Sequence, residues 1–252
     1  MPGRRGNIAT TTPVFYCMTK APAADVSLVL FLKAPHNAKR RLAAEIGESA
    51  TAVAELLCEC ALQDMEDWQG LAWLSPAEPD DAAWLDSRIG SAARIMPQKG
   101  ANLGERINYV DAQLRSTGLT KIIFIGSDCP GLDSEYLGEA AAHLDEYDAV
   151  VGPSRDGGVV LMGAHRAWPE LRNLRWSTRH LLEDLCSVCE RSGWTIARLA
   201  VRSDIDNLSD LLAVRNELLN DTRRTRRDLT EWLTSRADTL QTKDREGTQK
   251  KT

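Results

Sequence analysis

The sequence has no apolar run long enough to cross a membrane as a helix. Its longest such run, residues 26–32, has seven residues and includes a serine, whereas a spanning helix needs about 20 apolar residues. Arg4 and Arg5, near the start, are followed by a stretch without the apolar region of an export signal. These absences predict a cytoplasmic protein with no membrane span.

The chain also lacks an excess of positive charge. Its 252 residues carry a formal net charge of −5. Residues 221–252 contain 9 Lys/Arg against 6 Asp/Glu, which is +3 and leaves −8 on residues 1–220. A body of this sign does not attract nucleic acid or anionic lipid through charge alone. We therefore expect no nucleic-acid partner, and we interpret the basic residues at 222–227 as a solvated helix face.

The six cysteines do not have the spacing of a metal site or a disulfide framework. Cys58 and Cys60 are two residues apart on a predicted helix, so their side chains point to different faces. Cys186 and Cys189 form a C-x-x-C, but no second pair lies at zinc-ribbon spacing and no strand leads into it. Buried helix thiols in a reducing compartment are the simpler interpretation.

Strand-like and helix-like segments alternate along most of the chain. Predicted strands lie at residues 26–32, 70–75, 93–97, 121–126, 148–152, 157–165 and 194–201. Predicted helices lie at residues 49–67, 102–117, 134–145, 178–192 and 207–219. This alternation is typical of right-handed βαβ units. We predict an α/β domain over residues 26–220, with a mainly parallel sheet and helices on both faces.

The two ends of the chain differ from this body in composition. Residues 1–25 lack hydrophobic periodicity and are rich in Thr, Ala and Pro, so we predict a flexible extension there. Residues 221–252 are predicted to hold one charged helix and a disordered tail over the last dozen residues. Leu229, Trp232 and Leu233 have the spacing of an amphipathic helix. No internal repeat or Pro/Gly-rich linker divides the body, which we predict to be one domain.

A cationic loop follows the first predicted strand. It contains Lys33, Lys39, Arg40 and Arg41 within nine residues. In open α/β sheets, ligands bind at the carboxyl ends of the strands, where loops meet helix N-termini. This loop therefore suits an anionic ligand.

Carboxylates follow two of the later strands. Asp128 comes two residues after the strand that ends at Gly126, and Asp204 and Asp206 follow the last predicted strand. Two such loops at one sheet edge would offer oxygen ligands to Mg²⁺ or Mn²⁺ and leave positions for phosphate and water. We expect Asp128 as the first ligand and Asp206, or its neighbour Asp204, as the second. Each has a structural alternative: a cap of the turn "CPGL" for Asp128, and for the segment "DIDN" a helix N-cap formed by Asp206 or Asn207.

Five motifs occur in an order and spacing that resemble a known family. They read "LGER" at 103–106, "SDCPGL" at 127–132, "GPSRDGGVVLMG" at 152–163, "RWST" at 175–178 and "DIDNLSDL" at 204–211. Over roughly residues 26–215 the chain resembles the glycosyltransferase-A-like family of radical-SAM/selenodomain-associated, arsenosugar biosynthesis-type transferases. That family is similar to phospholactate and molybdenum-cofactor guanylyltransferases. The resemblance implies their nucleotide-diphospho-sugar transferase (GT-A, Rossmann-like) fold.

The resemblance also implies that the first loop binds phosphate. Lys33, Lys39 and Arg41 stand at the family's basic positions, and Arg40 stands where the family has threonine. The loop is two residues shorter than usual and lacks the family's glycine, which would let backbone amides approach a phosphate.

Three further segments carry implied ligand contacts. In "PQKGANLGER", Gln98 and Gly100 are implied to contact the nucleotide base and Arg106 a phosphate, with a surface helix turn as the alternative. The remaining implied contacts are Asp156 to a hydroxyl, the backbone at Gly157 and Gly158 to a sugar or acceptor, and Trp176 stacking on a ligand. A simple β-turn is the alternative for the glycines, and a buried tryptophan beside a helix cap is the alternative for Trp176. Valines follow the glycines where the family has tyrosines.

Together these features predict a metal-dependent transferase with Asp128 and Asp156 as catalytic residues. The partners would be a nucleotide-sugar donor and a small-molecule acceptor. Two alternatives stay open: a guanylyltransferase-like enzyme that moves NMP from an NTP to a phosphorylated small molecule, and a non-catalytic nucleotide-binding module. The short first loop and the missing tyrosines favour the module. The four aspartates at strand ends favour an enzyme.

Overall fold

The computed structural model describes residues 25–89 and 94–249, and it is built around one seven-stranded sheet. The strands are Val26–Leu32 (β1), Leu71–Pro76 (β2), Arg94–Ile95 (β3), Lys121–Gly126 (β4), Ala149–Pro153 (β5), Val159–Ala164 (β6) and Ile196–Arg198 (β7). Their order across the sheet is β3-β2-β1-β4-β6-β5-β7. Only β6 among these strands is antiparallel to its neighbours, β4 and β5. The predicted mainly parallel sheet is confirmed.

Helices and one short 3₁₀ turn connect the strands. They are Pro35–Asn37 (η1), Arg40–Ile46 (α1), Ser49–Asp67 (α2), Pro79–Ile89 (α3), Leu103–Ser116 (α4), Ser134–His143 (α5), Leu181–Arg191 (α6), Leu208–Glu217 (α7), Arg224–Ser235 (α8) and Ala237–Gln249 (α9). Asn102, Asp133 and Asn207 cap α4, α5 and α7, since each side chain accepts a backbone N–H of the first turn. Over the described residues, none of these helices has the length and hydrophobicity to span a bilayer.

The sheet is buried on both faces because successive residues of a strand point to opposite sides. In β1, Leu28 and Leu30 join the core cluster that includes α5, whereas Val29 joins the cluster on the other face with α4 and α6. All three side chains are fully buried. Because both faces of β1 are buried, its sequence is a nearly continuous apolar run, as is typical of parallel sheets covered on both faces.

A third core cluster joins the C-terminal helices to the body. Leu229 and Leu233 of α8 pack there with residues of α1, α2 and α7, so the predicted amphipathic helix is confirmed. Helix α9 follows and continues to Gln249, within the last dozen residues, where disorder was expected and stays a prediction. Leu240 of α9 is 3% exposed in the same cluster, and one apolar residue in a polar segment leaves no periodicity to detect. Of the predicted N-terminal extension, only Asp25 lies within the described residues.

Arg226 of α8 is buried, whereas the sequence pattern predicted it on a solvated helix face. It is 0% exposed, and its Nη2 donates to Oδ2 of the buried Asp64 at 2.5 Å. Arg224 and Arg227 of the same helix are exposed. The interpretation of residues 222–227 as a solvated helix face is therefore wrong for Arg226.

The burial of Arg226 follows from its position on the helix. It precedes Leu229 by three residues and Leu233 by seven, and these spacings place all three side chains on one face. Burial raises the pKa of Asp64 to about 6, while the guanidiniums of Arg226 and Arg223 favour its charged form. The carboxylate of Asp64 is therefore held charged by its two arginine partners.

Replacing Arg226 should destabilise the fold in a pH-dependent way. We expect Arg226→Met to lower the free energy of unfolding by about 3–5 kcal/mol near neutral pH, because Asp64 stays buried without its main partner. Losing that partner raises the folded-state pKa of Asp64 further. A raised folded-state pKa costs stability as pH increases, so the deficit relative to wild type should be larger at pH 8 than at pH 5.5. Urea unfolding at both pH values measures it.

Arg224→Met is the matched control on the same helix. Arg224 is exposed and pairs with Asp228 at 3.3 Å, a surface pair that contributes less than about 1 kcal/mol. Equal losses of stability in the two variants would contradict the buried role of Arg226.

Candidate active site

The predicted site loops meet at one edge of the sheet. Because β1, β4, β5 and β7 run in the same direction, their carboxyl ends lie side by side. The loops that leave them are residues 33–39, 127–133, 154–158 and 199–207. Backbone bonds join neighbouring loops: Ile205 N donates to the Asp128 carbonyl at 2.9 Å.

The side chain of Lys39 lies between two of the predicted metal ligands. Its Nζ is 3.4 Å from Oδ2 of Asp128 and 3.9 Å from Oδ1 of Asp206, and it donates to the carbonyl of Ile205. The Lys39 side chain is only 8% exposed. Its backbone is left-handed, with φ of 53°, at the N-cap of α1, a conformation that is uncommon for a residue with a Cβ. The two carboxylates predicted to share a metal ion therefore share an ammonium group.

Asp128 is held over the end of β4. Its Oδ1 would be 2.7 Å from a Cβ placed on Gly126, so the carboxylate folds back over a position that only glycine leaves open. In the described part of the chain, this carboxylate pairs with Lys39, and the "CPGL" turn is closed instead by Leu132 N donating to the Cys129 carbonyl at 3.3 Å. The turn-cap alternative for Asp128 is not what the structure has.

Asp206 is not the cap of the helix that follows it. Asn207 caps α7 by accepting from Asp210 N, and the Asp210 carboxylate in turn accepts from the backbone N–H groups of Asp206 and Asn207. The Asp206 side chain is therefore left for other partners. It accepts from Nη1 of Arg41 at 3.2 Å, besides facing Lys39.

Asp156 is oriented by the turn that contains it. Its Oδ1 accepts from the Ser154 hydroxyl and from Gly158 N, the latter at 2.9 Å. Gly157 has a φ of +89°, and a Cβ there would lie 2.2 Å from the Arg179 carbonyl. The "DGG" segment is thus a tight turn, as the β-turn alternative held, and it also fixes the direction of the Asp156 carboxylate.

Negative charge accumulates where these loops meet. Burial raises the pKa of Asp204 to about 7, and the nearby carboxylates of Asp128, Asp156 and Asp206 add to the shift. Burial also raises the pKa of Asp206, and Lys39 and Arg41 oppose this. Four carboxylates thus face two cationic groups.

The carboxylates at this edge have the chemistry of a divalent-cation site. Carboxylate oxygens are the ligands that Mg²⁺ and Mn²⁺ prefer, and the excess negative charge around Asp204 would be relieved by a cation. Over residues 25–89 and 94–249, no three His, Cys, Asp or Glu side chains converge closely enough to hold an ion. The residues fit a hard cation in chemistry and charge, with the Lys39 ammonium standing between Asp128 and Asp206 in its place.

A cleft of about 410 Å³ opens beside the carboxylates. Asp156, Asp204 and Asp206 line it together with Arg41 and Arg155. The sequence prediction missed Arg155, although it stands two residues after β5 within the "PSRDGG" motif.

Arg155 lines the cleft and forms an ion pair with Glu217. Its side chain is 69% exposed, and its Nη2 lies 3.0 Å from Oε1 of Glu217. Ser203, which also lines the cleft, donates to the same Glu217 oxygen at 2.9 Å. The cleft thus combines an acidic side with the guanidiniums of Arg41 and Arg155.

Three further predicted ligand-binding residues make contacts within the protein. They are Gln98, Gly100 and Arg106, which follow β2 in the chain. Gln98 Nε2 donates to the Ser75 carbonyl at 2.6 Å, and Arg106 Nε donates to the Gly100 carbonyl at 3.1 Å. Arg106 also pairs with Glu78 at 3.0 Å. These contacts are structural, and the predicted contacts with a base and a phosphate stay predictions.

Trp176 and Lys33 also lie outside the carboxylate contacts described above. The indole N–H of Trp176 donates to the Leu171 carbonyl at 2.9 Å, and the ring is half-buried against the core around α4 and α6. This agrees with the buried-tryptophan alternative. Lys33 is exposed directly after β1.

Part of the chain matches a family known from sequence. Residues 59–178 match the family described as an uncharacterized protein conserved in bacteria, DUF2064. The matched region contains Asp128 and Asp156 and ends before Asp204 and Asp206. No curated protein matches the sequence.

Solved structures show the same fold. A candidate nucleotide-diphospho-sugar transferase from Desulfovibrio desulfuricans G20 is similar with a TM-score of 0.80 and 21% identity, over 87% of this chain and 98% of that chain. A nucleotidyl transferase from Methanothermobacter is similar with a TM-score of 0.52 and 14% identity, over 77% of this chain and 97% of that chain. The radical-SAM and arsenosugar association stays a prediction. The predicted fold class is confirmed: the chain has the nucleotide-diphospho-sugar transferase fold.

Proposed function

We propose that this protein is a divalent-cation-dependent transferase that moves a glycosyl group from a nucleotide-sugar to a small-molecule acceptor. The observation that carries the proposal is a cleft at the carboxyl edge of the sheet that Asp156, Asp204 and Asp206 line, with Asp128 close enough to raise the pKa of Asp204. The likeness in fold to a candidate nucleotide-diphospho-sugar transferase supports it.

In this proposal, Asp128 and Asp206 hold Mg²⁺ or Mn²⁺ and Asp204 assists them. When bound, the ion supplies positive charge that stabilises the diphosphate as it departs. The raised pKa of Asp204, to about 7, reflects burial among like charges and supports a cation at this place. Lys39 balances part of the charge without the ion, since its Nζ faces both Asp128 and Asp206.

The first-loop cations bind the phosphates of the donor. Arg41 lines the cleft with a side chain that is 68% exposed, so a phosphate can reach its guanidinium. Lys33 is exposed at the end of β1. Guanidinium and ammonium groups both bind phosphate, the former in a bidentate fork.

Asp156 binds the acceptor. Both of its bonds within the turn go to Oδ1, which leaves Oδ2 for an acceptor hydroxyl. The hydroxyl oxygen attacks the anomeric carbon while Asp156 takes the hydroxyl proton. The bond from that carbon to the diphosphate oxygen breaks, and the nucleoside diphosphate leaves with the electron pair.

Nucleotidyl transfer is the second candidate, and the likeness in fold to a nucleotidyl transferase favours it. The cleft cations would then hold an NTP, and pyrophosphate would be the product.

Incubation with each NTP and with several nucleotide-sugars, with Mg²⁺ or Mn²⁺, distinguishes glycosyl transfer from nucleotidyl transfer. A ligand at about 100 times its Kd raises stability by roughly 2.7 kcal/mol, so thermal shift identifies the donor. Phosphorus NMR of the products then distinguishes nucleoside diphosphate from pyrophosphate, and binding without either product indicates a non-catalytic module.

Asp128→Asn should abolish the effect of the metal on nucleotide binding while leaving the fold intact. The amide keeps the shape of the side chain but loses the charge that attracts a hard cation. We expect Mg²⁺ to tighten nucleotide binding to wild type by about tenfold or more, and to change binding to the variant little. Calorimetric titration of both proteins with and without Mg²⁺ measures this. Four equal affinities would remove the metal from the proposal.

Removing the first-loop cations should weaken nucleotide binding. We expect Lys33→Ala and Arg41→Ala each to weaken binding by about fivefold or more at low salt, because each loses a charge-assisted bond to phosphate. Arg40→Ala is the matched control, because Arg40 is exposed beside Arg41 at the start of α1 and is expected to contribute less. Nucleotide affinities that are unchanged in the first two variants would contradict phosphate binding by this loop.

Lys39→Met should tighten Mn²⁺ binding in the absence of nucleotide. The substitution removes the ammonium that Asp128 and Asp206 now share, so we expect affinity to increase several-fold. Lys121→Met is the control, since Lys121 pairs with Asp25 and Asp145 at the start of β4, and it should leave Mn²⁺ affinity unchanged. Electron paramagnetic resonance of free Mn²⁺ gives both values. Weaker binding by Lys39→Met would show that the lysine does not compete with the ion.

A further inference from the structure

Helix α8, the last but one of the described helices, contacts the loop that carries Asp128. Arg226 Nε donates to the Pro130 carbonyl at 3.0 Å, and its Nη2 donates to the Leu132 carbonyl at 3.2 Å. Arg223 Nη1 donates to the same Leu132 carbonyl at 2.7 Å. Both carbonyls lie within four residues of Asp128, in the turn that leaves the sheet edge.

The two guanidiniums are themselves fixed by a buried carboxylate. Asp64 of α2 accepts from Arg226 Nη2 at 2.5 Å and from Arg223 Nη1 at 2.9 Å. Arg226 also donates to the Cys60 carbonyl at 2.6 Å. A planar guanidinium held in this way presents its remaining donors in one direction. We call Arg223, Arg226 and Asp64 the α8 clamp.

The Asp128 loop is thus held by two sets of hydrogen bonds. Ile205 N donates to the Asp128 carbonyl at 2.9 Å. The α8 clamp donates to the carbonyls of Pro130 and Leu132. Pro130 is buried and lacks a backbone N–H, so the turn has few bonds of its own. Buried carbonyls without a donor would be costly.

We propose that Arg226 and Arg223 are positioning residues, which fix the turn at 129–132 so that the Asp128 carboxylate stays over the end of β4. This inference rests on the proposed function only in naming a cation as the ligand of Asp128. It assigns a role at the site to residues that lie outside both the matched family region, residues 59–178, and the part of the chain covered by the sequence motifs.

The test compares two Arg–Asp pairs in which the carboxylate is buried. One is Arg226 with Asp64. The other is Arg115 with Asp111 on α4, where Arg115 Nε donates to Asp111 at 3.0 Å and Nη2 donates to the Ala164 carbonyl at 3.1 Å. Asp111 is 2% exposed. Arg115→Met should therefore destabilise the protein without touching the Asp128 loop.

Three proteins are compared with wild type: Arg226→Met, the double variant Arg226→Met with Asp64→Leu, and Arg115→Met. The double variant removes the buried charge left by the first, so it should recover stability without recovering the bonds to Pro130 and Leu132. Urea unfolding measures stability, and paramagnetic resonance measures Mn²⁺ affinity below the melting range of all variants. Hydrogen exchange of a peptide covering residues 127–134 measures order in the loop.

We expect both Arg226 variants to bind Mn²⁺ about tenfold or more weakly, as for removal of an outer-shell partner of a metal ligand. Their exchange over residues 127–134 should be faster. Arg115→Met should match wild type in both readouts. Faster exchange in the double variant despite recovered stability would set positioning apart from a general loss of stability.

Exchange over residues 127–134 that is as slow as in wild type in both Arg226 variants would overturn the inference. So would unchanged Mn²⁺ affinity in these variants when wild type binds the ion. If wild type itself binds no Mn²⁺, the proposed function fails, and the exchange measurement alone decides whether the α8 clamp positions the loop.

Discussion

Repulsion among four aspartates at one sheet edge is the constraint on which the rest of the site depends. Burial together with Asp128, Asp156 and Asp206 raises the pKa of Asp204 to about 7, and cations beside such carboxylates favour their charged forms. Lys39 is one such cation, with a side chain that is 8% exposed. Its backbone is left-handed, a conformation that is uncommon for a residue with a Cβ, and the ammonium faces Asp128 and Asp206.

The fold supplies the means to hold this charge. Parallel strands bring the loops after β1, β4, β5 and β7 to one edge, while the antiparallel β6 lies between β4 and β5 without adding a loop of its own there. Behind the Asp128 loop, α8 binds the carbonyls of Pro130 and Leu132 through Arg226 and Arg223. Helix α8 thus contacts the candidate site as well as the core, although the sequence motifs of the site end before this helix.

Sequence reasoning predicted the features that local patterns determine. Strand and helix alternation predicted the parallel sheet, and the rule that strand ends share an edge predicted that Asp128 and Asp206 come together. The particular side-chain contacts within these loops were not predictable in this way. Lys39 lies between those aspartates because its loop contacts Ile205, which is 166 residues later in the sequence. The spacing of residues in the sequence does not reveal this contact. The burial of Arg226 was predictable from the sequence, because its spacing places it on the same helix face as two buried leucines.

We propose that Asp128 and Asp206 bind a divalent cation in place of the Lys39 ammonium. The most direct test is a crystal structure of the protein grown with Mn²⁺, examined for anomalous scattering at the manganese edge. We expect an anomalous peak within about 2.5 Å of an Asp128 oxygen, with the Lys39 Nζ displaced from its contacts with both carboxylates. A Mn²⁺-containing crystal with Lys39 still between Asp128 and Asp206, and no anomalous peak at this edge of the sheet, would contradict the account.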